Sequence, residues 1–138
     1  MNALVTYTRK IRYSDTDMQG IVFNGNYFTY FDDALTDLFE VLGMTPEELH
    51  QRGVDVVTAH AEADFLASAR VGDVLETNVG LDRIGTTSIV FAMEAVVGEV
   101  AIVRGNVVWV TVDAETFAKI PVPEELRSRL GSAAGLSD

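Results

Sequence analysis

Residues 4–13 alternate: Val5, Tyr7, Ile11 and Tyr13 share one face, Thr6, Thr8, Lys10 and Arg12 the other, and Arg9 is the one break in the apolar row. A period of two marks a half-buried strand. Over residues 27–42 the pattern changes. Tyr27, Phe28, Tyr30, Phe31, Ala34, Leu35, Leu38, Phe39, Val41 and Leu42 cover most of a helix circumference, and Asp33, Thr36, Asp37 and Glu40 form one narrow polar stripe. Asn24 or Asn26 can cap this helix and Gly43 ends it. Thr45-Pro46-Glu47-Glu48 then starts a short helix to about Arg52.

Four strand patterns follow, over residues 54–65, 74–84, 86–97 and 100–112, separated by turn residues at 69–73, Gly85 and Gly98-Glu99. Long strands in succession imply antiparallel pairing. Pro121 and Pro123 lead into a short helix over 124–130, and 131–138 reads as a frayed, flexible tail. A helix apolar on most sides needs a sheet wrapped around it rather than a flat surface beneath it. The expectation is one α+β domain over residues 1–130, with a five-stranded antiparallel sheet around a long central helix.

Composition narrows the chemistry. The chain has 138 residues and 48% hydrophobic content, enough for one sizeable core. It has no cysteine, so disulfides, thiolate metal sites and cysteine nucleophiles are excluded, and two histidines, His50 and His60, exclude a three-histidine metal site. No metal or cofactor is expected. Twenty-one acidic residues against ten lysines and arginines give a net charge of −11, which repels a phosphate backbone and argues against nucleic acid. That surface fits an ordinary acidic protein or one adapted to high salt, where the repulsion is screened. No apolar run is long enough to span a membrane and no signal-peptide pattern opens the chain, so a soluble, cytoplasmic protein is expected.

The segment from Tyr13 to Tyr27 holds the candidate chemistry. Asp15 and Asp17 end the first strand and face an apolar loop, Gly20-Ile21-Val22-Phe23, that opens the long helix. Carboxylates at the mouth of an apolar pocket can act as base or nucleophile, and the free N–H groups of a helix start can polarise a carbonyl. Elsewhere, Asp32, Asp33, Asp37 and Glu40 on the long helix are alternative candidates for a catalytic carboxylate but read first as a solvated or interface stripe, His60 reads as a sheet histidine and His50 as part of an exposed helix. Tyr27, Tyr30 and Phe31 read as core.

The stretches Tyr13-Ser14-Asp15-Thr16-Asp17-Met18-Gln19-Gly20-Ile21-Val22-Phe23 with Asn26-Tyr27, Ala63-Asp64-Phe65-Leu66-Ala67-Ser68-Ala69-Arg70-Val71-Gly72-Asp73, and Ile120-Pro121-Val122-Pro123-Glu124-Glu125-Leu126 resemble the hot-dog fold acyl-CoA thioesterases, in particular the 4-hydroxybenzoyl-CoA thioesterase-like family. The resemblance implies hydrolysis of a small aromatic or short-to-medium acyl thioester of coenzyme A. Asp17 would be the catalytic carboxylate and Asp15 its structural neighbour, and the backbone amide of Asn24 would be the oxyanion donor. Gly20, Ile21, Val22, Phe23 and Tyr27 would meet the substrate. The histidine that many relatives carry just ahead of the helix is absent, which shifts weight onto the carboxylate and backbone donors. The CoA phosphates need local cations, and Arg83 beside Thr86, Thr87 and Ser88 is the favoured group, with Arg70 and Arg104 as others. The resemblance also implies a homodimer or homotetramer with active sites at subunit interfaces. The alternative is a non-catalytic acyl-CoA binding or sensing protein.

Overall fold

A computed structural model describes residues 1–136. Its elements are β1 (Val5–Lys10), a single 3-10 turn (Tyr13–Asp15), α1 (Asn26–Leu42), α2 (Pro46–Gln51), β2 (Val54–Phe65), β3 (Val74–Ile84), β4 (Ser88–Val97), β5 (Val100–Asp113) and α3 (Glu124–Ala133). The five strands form one antiparallel sheet in the order β1-β3-β4-β5-β2. The meander β3-β4-β5 is central, and β1 and β2 are its edges.

The sheet curls around α1, whose Phe31, Ala34, Leu35, Leu38 and Phe39 are almost wholly buried. Phe39 meets Trp109 at 5.1 Å between ring centroids, and Trp109 meets Phe91 edge-on at 5.6 Å. Leu75, Val79, Ile89, Met93 and Val103 complete the inner face of the sheet. Each fully buried side chain of this size contributes about 1.5–3 kcal/mol, so the helix is held along the face that carries these residues with Tyr27 and Tyr30, while Phe28, Asp32, Thr36, Glu40 and Val41 on its other side stay exposed. Gly43, in the left-handed region at φ 70°, closes α1: its N–H reaches Glu40 O and that of Met44 reaches Phe39 O. Arg129 of α3 donates to Leu42 O at 2.7 Å and so covers the same helix end.

Several boundaries differ from expectation, each for a local reason. β1 stops at Lys10 rather than Tyr13, because the Arg12 N–H bonds to the Asp15 carboxylate and turns the chain into the 3-10 turn. Tyr13 is consequently 84% exposed. The α1 N-cap is Gly25, and no side chain caps it; Asn26 instead donates its side-chain amide to Asp15 O at 2.9 Å. β4 begins at Ser88 rather than residue 86, since Gly85 N–H bonds Ser88 O while Thr86 O receives the Val122 N–H. α3 runs to Ala133, anchored by the buried Leu126 and Leu130, so the first three residues of the expected tail are helical. Ser137 and Asp138, the end of that tail, lie outside the described residues.

One glycine is demanded by the sheet. A Cβ on Gly105 would overlap the backbone carbonyl of Glu62, so this residue lets β2 close tightly over β5. Beyond it, the end of β2 at Phe65 lies against Tyr27 at the start of α1.

Candidate active site

The loop between the 3-10 turn and α1 is a miniature hairpin. Asp17 N–H donates to Ile21 O at 2.9 Å, Gly20 N–H donates to Asp17 O at 3.0 Å, and Thr16 pairs with Val22. Gly20 sits at φ 76°, a left-handed conformation that a turn can take most readily with glycine. The far side of the hairpin is stitched to the turn before β3: Val22 N–H donates to Ala69 O, and Ile21 pairs with Arg70.

Asp15 holds this loop to the fold. It is 6% exposed, and its carboxylate accepts from Arg9 Nη2 (2.8 Å), Tyr30 Oη (2.8 Å) and the Arg12 N–H (2.8 Å). Its carbonyl accepts from the Phe23 N–H and from the Asn26 side chain. One residue therefore joins β1, the loop and α1. Arg9, the break in the apolar row, points inward to reach it and lies 5.2 Å over the Tyr30 ring. Burial works to raise the Asp15 carboxyl, but the hydrogen bonds from Arg9, Arg12 and Tyr30 outweigh it and hold the group below the usual carboxylate range. Burial and the bond to Asp15 push the Tyr30 phenol up, so it stays a neutral donor.

Asp17 is different. It is half-buried, and one carboxylate oxygen accepts the Gln19 N–H at 2.8 Å; the other accepts no hydrogen bond among the described residues. Where the loop ends, the first turn of α1 leaves donors open. The N–H groups of Asn26, Tyr27 and Phe28 reach Phe23 O, Asn24 O and Gly25 O, whereas those of Asn24 and Gly25 have no acceptor among the described residues.

A cleft of about 190 Å³ opens at this point, lined by Ile21, Val22, Asn24, Tyr27, Phe65, Ala67 and Ser68. The buried Tyr27 ring forms its inner wall, 5.9 Å from the Phe65 ring. Of the sequence-derived substrate group, Ile21, Val22 and Tyr27 line this cleft. Gly20 and Phe23 do not: Gly20 is at the exposed turn, and Phe23 is 53% exposed with its ring folded against Gly25, where a Cβ would lie 2.9 Å from it. Phe65, Ala67 and Ser68 escaped assignment. Their signal was an apolar strand end followed by small residues, immediately ahead of the turn that pairs with the loop.

The proposed phosphate group falls elsewhere. Arg83, Thr86, Thr87 and Ser88 sit at the Ile84 end of β3, whereas the loop borders the Val74 end, ten residues or about 33 Å away at ~3.3 Å per strand residue. Within one chain they stand apart from the cleft. None of Asp32, Asp33, Asp37 and Glu40 lines the cleft either; burial, and then the Asp33 charge, push the Asp32 carboxyl up although the residue reaches solvent. Among the described residues no three histidine or carboxylate side chains are grouped to hold a metal, and no helix is long and apolar enough to cross a membrane.

Comparison with known proteins agrees with this architecture. The family model of the Thioesterase-like superfamily matches residues 11–130. The 1,4-dihydroxy-2-naphthoyl-CoA hydrolase of Nostoc punctiforme is 28% identical over 122 residues, covering 88% of this chain and 82% of that protein. Two solved structures share the fold: a 1,4-dihydroxy-2-naphthoyl-CoA thioesterase from Synechocystis (TM-score 0.84, 21% identity, 91% of this chain and 94% of that one) and a thioesterase from Thermus thermophilus complexed with coenzyme A and zinc (TM-score 0.85, 23% identity, 99% and 98%). With the hot-dog arrangement of one long helix inside an antiparallel sheet, the chain belongs to the Thioesterase-like superfamily.

Proposed function

We propose that this protein hydrolyses the thioester of an acyl-coenzyme A, releasing the free acid and coenzyme A. The observation that carries the reading is the pair of open N–H groups at Asn24 and Gly25, beside an apolar cleft and on the same loop as a carboxylate with an unused oxygen. The acyl group enters the cleft against Tyr27 and Phe65, and the thioester oxygen lies on the helix N–H groups. Asp17 supplies the negative charge, either withdrawing a proton from the attacking water or adding to the carbonyl itself. The tetrahedral oxyanion is held by the backbone donors, each worth about 3 kcal/mol or more when well placed. The C–S bond then breaks, the thiolate leaves and takes up a proton, and on the route where Asp17 itself adds, water hydrolyses the resulting acyl–Asp17 anhydride to the free acid. A small cleft walled by two aromatic rings suits a small aromatic or short-to-medium acyl group, in keeping with the aromatic acyl-CoA named for the Nostoc relative.

A second subunit would complete the site. β2 is an edge strand of twelve residues whose Thr58, Ala59, His60, Ala61 and Glu62 are all exposed, and Asp17 does not itself line the cleft of the single chain. A long unprotected edge invites pairing with a like strand. Two copies joined along β2 would make a continuous sheet and roof each cleft with residues of the other, giving a homodimer that can pair again into a tetramer. Coenzyme A as the substrate carrier fits a cytoplasmic enzyme.

A thiol-release assay against short, long and aromatic acyl-CoAs tests the reading. The wild type is expected to turn over at least one of them, and Asp17→Asn to lose about 100-fold or more in kcat, as for removal of a proton-transfer group. Ligand-induced stabilisation with no thiol released would favour a binding protein instead.

A further inference from the structure

Polar side chains are scarce in the acyl cleft: of the residues that line it, Asn24, Tyr27 and Ser68 carry one, and the chemistry so far leaves Ser68 without a task. Its position is fixed from both sides. Leu66 N–H and Ala67 N–H both donate to Ile102 O, at 2.8 and 3.2 Å, while Ala69 O accepts the Val22 N–H at 2.9 Å and Arg70 N–H donates to Asp73 Oδ2 at 2.8 Å. An exposed hydroxyl thus sits on a short segment whose neighbours are tied down.

The pairing settles which way that segment faces. Asp17 and Ile21 stand opposite each other across the hairpin, and Ile21 pairs in turn with Arg70. Opposed residues of antiparallel strands share a face, as do residues two apart on one strand. Asp17, Ile21, Arg70 and Ser68 therefore lie on one side of this small ladder, and Val22 and Ala69, which alternate with them, are buried. Asp17 and Ser68 flank Ile21. Two strand spacings and two residues separate their Cα atoms, roughly 12 Å, and side chains leaning in from both sides leave room for a water and a thioester group between them.

We infer that the Ser68 hydroxyl is a further catalytic group, donating a hydrogen bond to the thioester sulfur as it becomes a thiolate. This rests on the thioesterase reading of the cleft. With the acyl group inside against Tyr27 and Phe65 and the carbonyl oxygen on the Asn24 and Gly25 N–H groups, the sulfur is left at the exposed mouth, where Ser68 stands across from Asp17. The need is greatest when Asp17 itself adds to the carbonyl. The tetrahedral intermediate then carries two leaving groups, and the carboxylate, a weaker base than the thiolate, departs more readily and returns the substrate. A donor on sulfur tips the partition forward. The C–S bond breaks, its electron pair stays on sulfur, Ser68 keeps its proton while bonding the thiolate, and the thiolate takes a proton from water. In a chain of net charge −11 a new anion needs such a local donor.

Ser68→Ala and Ser68→Thr provide the test, each assayed on an acyl-CoA and on the thionitrobenzoate thioester of the same acid, whose aryl thiolate is stable enough to leave unaided. On the acyl-CoA, Ser68→Ala is expected to lose about tenfold or more in kcat, as for a hydrogen bond to a charged group, with KM and melting temperature little changed. Ser68→Thr keeps the hydroxyl and should keep the turnover. On the thionitrobenzoate ester, Ser68→Ala and wild type should react alike, a selectivity that a merely structural role does not produce. Full turnover of the acyl-CoA by Ser68→Ala, a loss that Ser68→Thr does not restore, an equal loss on both esters, or a rise in KM alone would overturn the assignment. A wild type that hydrolyses neither ester would sink the thioesterase reading along with it, whereas an active wild type matched by Ser68→Ala sinks this role only.

Discussion

Asp15 and Asp17 stand two residues apart and occupy opposite situations. At the base of the loop, Asp15 is buried and saturated, with three partners on its carboxylate and two on its carbonyl. At the tip, Asp17 is half-exposed, receives one turn N–H, and keeps an oxygen free. A saturated carboxylate builds; an unsaturated one is available to a substrate. The same contrast separates the backbone donors, because Phe23 N–H is spent on Asp15 O whereas Asn24 and Gly25 N–H are open among the described residues. Rigidity at the base keeps the tip and the helix start in register.

This contrast can be broken at its base. Asp15→Ala leaves the Tyr30 hydroxyl and the Arg12 N–H without an acceptor and Arg9 without its counter-ion. Breaking a buried pair costs about 3–5 kcal/mol; the Arg9 side chain is 32% exposed, so roughly 2–3 kcal/mol is expected here, read as a lowered denaturation midpoint. Tyr30→Phe removes a single donor and should cost about 1 kcal/mol in the same measurement. The smallest effect is a dependence on pH. The Asp15 carboxyl is held below its ordinary value in the folded chain, so the unfolded chain binds its proton first as pH falls. Its contribution is complete above the ordinary carboxylate range, above about pH 4, and is lost as pH falls through the lowered folded value. Melting curves of wild type and Asp15→Asn should therefore differ most near neutrality and converge in strong acid.

Much of the fold was legible in the sequence where periodicity and turn chemistry agreed. The bounds expected for the second and third strands, residues 54–65 and 74–84, are those of β2 and β3. Legibility failed where a tertiary hydrogen bond overrode the pattern. The alternation of Ile11 and Tyr13 continues past Lys10, but Asp15 captures the Arg12 N–H and ends β1 early. Asn26 looks like a helix cap because its side chain is a good acceptor near a helix start; here it acts as a donor to Asp15 O. Of the cleft lining, Ile21, Val22 and Tyr27 are named by the sequence because they are contiguous with the motif. Phe65, Ala67 and Ser68 come from forty residues away and meet it because the turn after β2 pairs with the loop, Val22 N–H on Ala69 O and Ile21 against Arg70. Arg83 and its hydroxyl neighbours lie at the Ile84 end of β3, and residue spacing does not reveal which end of a sheet a turn occupies.

Thiol release and melting temperature, measured together on Asp15→Asn and Asp17→Asn, test the division of labour most directly. Asp17→Asn is expected to melt like the wild type while losing about 100-fold or more in kcat, and Asp15→Asn to melt lower and to keep the turnover of whatever fraction stays folded. An Asp17→Asn variant with full turnover, or one whose melting point falls as far as that of Asp15→Asn, would contradict the account.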